Sequence, residues 1–359
     1  MGPIPSKYSG SPEITTIIPT YRRPQLLSRA ARSAAVQQGV RVLVRICDNA
    51  SGDATPQVAE DLAAEGHRLE YISRDQNLGA VANYVASVQD IGTPYFSLLA
   101  DDDYLLPGFY QRALTALQAN PQAMFWVGTT LNVSPEGQIW DARMERWPRD
   151  GVYGGIEGVM LMTGGGAPNW TAMVFRTEIL RTSGFIDPSI GGPSDLDFTL
   201  RMAALHTFIV ERVPVAVSTL NPESFSATKP LDAFWPGWER MMDKARTLPG
   251  LKHDQAQRLL LALRADARRM LFRRGINALA KGRVEFARHA AEELRQLSRL
   301  RAWMLSILAS ASRRFHWVQR GIASLYGWVE MAIVSRRRDL QDRHGHLLVS
   351  PPRASAVEK

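Results

Sequence analysis

The chain is nearly devoid of cysteine: Cys47 is the single one in 359 residues. An intrachain disulfide is thereby excluded and a thiolate metal site is unsupported, a pattern that fits a reducing compartment. Long apolar runs are missing too. The longest uncharged piece near the C-terminus, 302–312, has 11 residues, against the roughly 20 that a membrane-spanning helix requires. Residues 1–12 are rich in Pro, Gly and Ser and lack the apolar core of a signal peptide; they are expected to form a flexible tail. No glycine- and lysine-rich triphosphate loop follows the first apolar run, whose place is taken by Thr20-Tyr21-Arg22-Arg23-Pro24.

What is abundant is positive charge, unevenly placed. Residues 251–343 hold 20 Lys and Arg against 8 Asp and Glu, a net +12, while residues 1–250 carry −5. A block of one sign this large marks a surface for an anionic partner.

The N-terminal part alternates short β-branched runs with helical spacing. Ile14–Pro19, Val42–Cys47, Leu69–Ser73 and Tyr95–Leu99 have the composition of buried strands. Gln25–Gln37, Thr55–Ala64 and Gly79–Val88 place apolar or small residues at helical spacing between them. This alternation predicts a parallel sheet with right-handed crossovers, whose ligands bind beyond the carboxyl ends of the strands. Three polar clusters fall at those ends: Thr20-Tyr21, Asp48 and Asp101-Asp102-Asp103. Three crowded carboxylates repel one another, and hard oxygen ligands suit Mg²⁺ or Mn²⁺. Taken alone, such a triplet is better explained as a solvated acidic turn.

The order Pro19-Thr20-Tyr21-Arg22-Arg23-Pro24, Asp48-Asn49-Ala50-Ser51-Gly52-Asp53, Asn77-Leu78-Gly79, the Asp triplet with Pro107, and then Gly184-Phe185-Ile186-Asp187 before Ser194-Asp195-Leu196-Asp197 resembles a family 2 glycosyltransferase of GT-A fold. The resemblance covers about residues 13–225 and is of the bacterial envelope polysaccharide type, lipopolysaccharide included. It implies a Rossmann-like, mostly parallel α/β sheet, and a hexosyl- or deoxyhexosyltransferase that uses a nucleotide diphosphate sugar. In such a protein Thr20, Tyr21, Asp48, Arg74 and Asn77 would border the nucleotide. Asp101 and Asp103 would hold the Mg²⁺ or Mn²⁺, with Asp101 and Asp102 also near the nucleotide. Asp195 would be the catalytic base of an inverting transfer, with Asp197 the alternative. Two departures stand out: Ala100 and Ser194 occupy positions that are often acidic in the family.

Gly164-Gly165-Gly166 and Gly191-Gly192 make glycine-rich loops. With Trp170, which can stack on a sugar or pack as core, Gly191 and Gly192 are the expected acceptor side. Ser224 and Ser226 are candidates for a loop closing over the donor. Residues 226–343 are expected as a linker and a basic helical region. Within it Leu300, Met304, Ile307, Phe315, Val318, Ile322, Leu325 and Val329 form an apolar stripe flanked by Trp303, Trp317 and Trp328. A stripe with aromatics and Arg over 254–338 suits an anionic membrane, and equally the core or a second subunit. A nucleic-acid role would use the same charge, but no recognised motif supports it. Residues 344–359 are expected to be disordered.

The expectation is a cytoplasmic enzyme at the inner face of the plasma membrane, acting on a lipid-linked or polysaccharide acceptor. A nucleotidyltransferase and a non-catalytic sugar-binding or scaffold subunit are the alternatives.

Overall fold

A computed structural model describes residues 10–219 and 230–348. β1 (Ile14–Thr20), α1 (Pro24–Ala35), β2 (Val42–Asp48), α2 (Thr55–Ala64), β3 (Leu69–Ser73), α3 (Ala80–Ser87) and β4 (Tyr95–Leu98) follow in strict alternation. Pro24 and Pro56 start α1 and α2 where a missing N–H costs nothing. β5 (Tyr104–Leu105), α4 (Phe109–Ala119) and β6 (Ala123–Val133) come next. They are followed by β7 (Ile139–Ala142), β8 (Gly151–Tyr153) and α5 (Gly155–Met162). β9 (Met173–Arg176), α6 (Glu178–Ser183), α7 (Ser194–Leu205) and β10 (Thr207–Thr219) complete the sheet domain.

The strand order is β3-β2-β1-β4-β9-β6-β10-β5, with β7 beside β6 and β8 beside β10. β3, β2, β1 and β4 are parallel. β9 then enters antiparallel between β4 and β6, so the sheet is mixed from there on. One face is covered by α1, α2 and α4 through Leu27, Leu62, Phe109 and Leu117, all fully buried or nearly so. Polar residues inside β1 are paired: Thr16 bonds Ser97 at 3.0 Å, and Thr15 bonds Thr93 at 2.8 Å.

The other face continues into the C-terminal helices as one core. The stretch expected to begin as a linker holds a packed helix, α8 (Leu231–Ala245), with Trp235, Met241 and Met242 buried. Gly237 of α8 lies so close to the 188–190 turn that a Cβ there would stand 2.0 Å from the Ile190 carbonyl oxygen. α9 (His253–Ala280) buries Leu259, Leu263, Ala267 and Leu271 on one face, as its spacing predicts. α10 (Val284–Leu297) and α11 (Arg299–Arg314) fold back on it, and Leu305 of α11 sits over Gly275.

α11 turns Ala302, Leu305, Ala309 and Ser312 inward, which leaves most of the predicted stripe outside, although Val318 is half-buried and Ile322 packs on the core. Leu300, Trp303 and Ile307 are exposed, and so are Phe315, Trp317, Leu325, Trp328 and Val329 around α12 (His316–His344). No helix among the described residues is long and apolar enough to cross a membrane.

Order persists beyond the expected start of the disordered tail. α12 runs through His344, Arg343 pairs with Glu145 at 2.7 Å, and Leu347 and Leu348 pack on the cluster of Leu131, Ile139 and Val217. The apolar surface between β5, β7 and β10 needs that cover, and charge pairing fixes its register. Residues 349–359, the N-terminal residues 1–9, and Ser224 and Ser226 lie outside the described residues.

Candidate active site

Parallel register brings the carboxyl ends of β1, β2 and β4 together. Thr20 sits opposite Asp48, and Asp101 follows β4. Thr20 Oγ1 donates to Asp101 Oδ2 at 2.8 Å. Arg23 Nη1 lies 3.2 Å from both Asp101 Oδ1 and Asp102 Oδ2. Asp103 accepts from the Thr219 backbone N–H at 3.1 Å and from the Thr171 hydroxyl. Even so, burial dominates: it raises the Asp101 carboxyl to about 6. Burial, helped by the neighbouring Asp102 charge, raises Asp103 to about 7. The triplet is therefore short of positive charge.

A cleft of about 460 Å³ opens here, bounded by Asp102, Asp103, Tyr84, Trp170, Gly192 and Asp195, among others. Asp101 is absent from its wall because its carboxylate is turned to Thr20 and Arg23. Of the expected metal pair Asp101 and Asp103, only Asp103 lines the cleft, with Asp102 beside it. One or two carboxylates are what Mg²⁺ or Mn²⁺ takes when phosphates and water fill the remaining positions. The protein alone is not a full ligand set; among the described residues no three His, Cys, Asp or Glu are arranged to hold an ion.

Several expected nucleotide contacts have other partners. Asp48 accepts from the Ser51 N–H at 3.0 Å and from the Tyr71 hydroxyl at 2.7 Å, closing an Asx turn. Asn77 Oδ1 accepts from Asn49 and from the Gly79 N–H, so it clips two loops together. Arg74 Nε donates to Asn83 at 3.2 Å, while its Nη2 is buried without a partner. None of the three lines the cleft. Tyr21, partly exposed, lies under the Arg22 guanidinium at 5.1 Å.

Trp170 is both core and wall. Its indole donates to Thr199 Oγ1 at 3.0 Å and its ring packs edge-on to Tyr84 and Phe198. It lines the cleft of the triplet, as Gly191 does.

A second cleft of about 490 Å³ lies alongside, walled by the 164–168 loop, α8 and α9. Asn169, Gly192 and Asp195 belong to both clefts. Asp195, in the first turn of α7, is thus on the ledge between them and keeps solvent contact through both. Its carboxylate accepts from the Leu196 N–H at 2.8 Å. Asp197 is not in either cleft. It is buried and ion-paired to Lys244 at 2.9 Å, and Lys244 also holds Asp187 at 3.2 Å. That pair ties α8 to α7.

Sequence reasoning assigned no role to Arg23, Thr171 or Thr219, nor to the wall that α8 and α9 give the second cleft. Arg23 lies 78 residues from Asp101, and only the β1–β4 pairing joins them.

Residues 15–184 match the sequence profile of Glycosyl transferase family 2. A Campylobacter jejuni GalNAc(5)-diNAcBac-PP-undecaprenol β-1,3-glucosyltransferase is 28% identical over 98 residues, 27% of this chain and 32% of that protein. The chain covers 30% to 62% of the length of four curated bacterial relatives, this one included. In fold it resembles Staphylococcus aureus TarS residues 1–349, solved with UDP-GlcNAc, at TM-score 0.59 and 15% identity over 88% of this chain and 92% of that one. A Pyrobaculum calidifontis mannosyltransferase solved with GDP-Man and Mn²⁺ gives TM-score 0.51 at 15% identity, covering 92% and 88%.

Proposed function

Residues 15–184 belong to glycosyl transferase family 2, and on that premise we propose a metal-dependent, inverting transfer of a sugar from a nucleoside diphosphate to an acceptor hydroxyl. The observation that carries it is the position of Asp195 on the ledge shared by the two clefts. A base for this chemistry must touch the acceptor oxygen while the donor lies on its far side.

The nucleoside diphosphate enters the cleft of the triplet, where Asp102 and Asp103 would hold Mg²⁺ or Mn²⁺. The ion supplies positive charge for the departing diphosphate. Thr20 and Arg23 fix Asp101, and Thr171 and Thr219 fix Asp103, so the carboxylates do not reorganise during reaction. The acceptor occupies the second cleft. Its hydroxyl gives its proton to Asp195 as the oxygen forms a bond to the anomeric carbon, and the bond from that carbon to the diphosphate oxygen breaks.

The exposed stripe and its arginines support work at an anionic bilayer, with a lipid-linked or polysaccharide acceptor. Trp317 is 72% and Trp328 71% exposed, with Arg313, Arg314 and Arg320 also at the surface. An aromatic and apolar face beside arginines binds such a surface through buried area plus charge.

The test is release of nucleoside diphosphate from a panel of nucleotide sugars, with Mn²⁺, Mg²⁺ or a chelator present. Turnover with one donor and its loss on chelation support the reading. No turnover across the panel, together with no metal-dependent nucleotide binding, overturns it.

A further inference from the structure

The second cleft differs from the first in sign. Among the described residues the cleft of the triplet is lined by carboxylates and no cation, whereas the second is lined by Arg143, Arg269 and Arg273 with Asp195 and Asp266. Two of these arginines have carboxylate partners. Arg269 pairs with Asp266, which also accepts from the Gly164 N–H at 2.8 Å, and Arg143 lies 3.4 Å from Asp141. Arg273 has no carboxylate partner among the described residues, and its charge already acts on the adjacent Arg274. Phe234 and Trp238 supply aromatic surface to the same cleft, and the Trp238 indole N–H is buried without a hydrogen-bond partner.

A planar guanidinium without a carboxylate partner, two further arginines beside it and an aromatic wall describe a site for a sugar that bears a phosphate. We infer that the acceptor is a phosphate-bearing saccharide, its phosphate held by Arg273 with Arg143 and Arg269, and its accepting hydroxyl at Asp195. The inference rests on the reading of Asp195 as the ledge between donor and acceptor. The acidic donor cleft would repel such a molecule unless a metal ion were present, so the difference in sign also keeps the two substrates in their own clefts. The phosphate can belong to a phosphodiester-linked polymer or to a lipid diphosphate, which share this chemistry.

Binding titrations with the full chain test this without requiring turnover. The probes are a methyl hexoside, the same hexose as a methyl phosphodiester, and the same hexose as an alkyl diphosphate. The phosphate-bearing probes should bind about 10- to 100-fold more tightly than the neutral one, the range of a charge-assisted contact. Arg273→Gln should remove most of that preference and Arg273→Lys should restore part of it, while nucleotide Kd stays unchanged in both. Tighter binding of the diester than the diphosphate points to a polymer source; the reverse order points to a lipid-linked one. Equal binding of neutral and phosphate-bearing probes, or a preference that survives Arg273→Gln, overturns the inference. The two failures separate cleanly. A phosphate preference without nucleotide-sugar turnover sinks the transferase reading alone, and turnover onto neutral acceptors without preference sinks this inference alone.

Discussion

Asp103→Asn should make the metal-free protein more stable while ending its metal response. Asp103 is 4% exposed, and its carboxyl is raised to about 7 by burial and by the Asp102 charge. A carboxyl raised above its unfolded value holds its proton to higher pH in the folded state. Its contribution is therefore complete below the unfolded value of 3.8 and is lost as pH rises through about 7. About three units at 1.36 kcal/mol each give a folded-state penalty on the order of 4 kcal/mol at pH 8. Asparagine keeps the shape and one acceptor for the Thr219 N–H, and its amide can donate to the Thr171 hydroxyl. Allowing for weaker neutral hydrogen bonds, the gain should be about 2–4 kcal/mol. At roughly 2 °C per kcal/mol for a large domain, Tm should rise by about 4–8 °C. The assay is thermal unfolding at pH 5 and pH 8 in chelator, then with Mn²⁺ added. The variant should exceed the wild type at pH 8, much less at pH 5, and should respond weakly to Mn²⁺. A variant Tm at pH 8 equal to or below that of the wild type refutes the argument that Asp103 is an under-compensated buried charge.

Asp197→Asn should cost about 1–3 kcal/mol by removing the buried carboxylate partner of Lys244 and leaving it only Asp187, with nucleotide Kd unchanged; an altered Kd in a stably folded variant would place Asp197 in the site after all. Leu305→Ala should cost about 2–5 kcal/mol because a fully buried side chain leaves a cavity over Gly275, and urea unfolding measures it. Replacing Trp303, Trp317 and Trp328 together by Ser should leave Tm within about 2 °C, as surface changes do. The same variant should lose most of its binding to vesicles rich in anionic lipid, and unchanged vesicle binding would remove the stripe from the membrane account.

How much of this was legible beforehand depends on how local the signal is. β1 to β4 and α1 to α3 declare themselves through composition and spacing within a few residues, and the acidic triplet falls after β4 as alternation requires. The direction of β9 was not legible, because Met173–Arg176 is equally apolar in either orientation and only its neighbours β4 and β6 set it. α8 was hidden by Pro236 and by its tryptophans, which resemble a loop until Gly237 allows the helix to close on Ile190. The resemblance sets Asp48 and Asn77 beside the nucleotide, and the structure shows both side chains accepting hydrogen bonds within their own turns. That the Asp101 carboxylate is held by Thr20, 81 residues away in the chain, could not be read locally; it follows from the pairing of β1 with β4. The stripe of α11 and α12 was read correctly as a face. Which side it would present depended on Ala302, Leu305 and Ala309 taking the inward positions instead.

The central claim is that Asp195 takes the proton of the acceptor hydroxyl at the junction of the two clefts. Its most direct measurement compares turnover and nucleotide Kd for the wild type and Asp195→Asn, with one donor and one acceptor in Mn²⁺. The account predicts a loss of turnover of about 10²- to 10⁴-fold, the usual share of a general base, with nucleotide Kd changed by less than about twofold because the diphosphate is held elsewhere. Turnover retained in Asp195→Asn, or lost only in step with nucleotide binding, would contradict it.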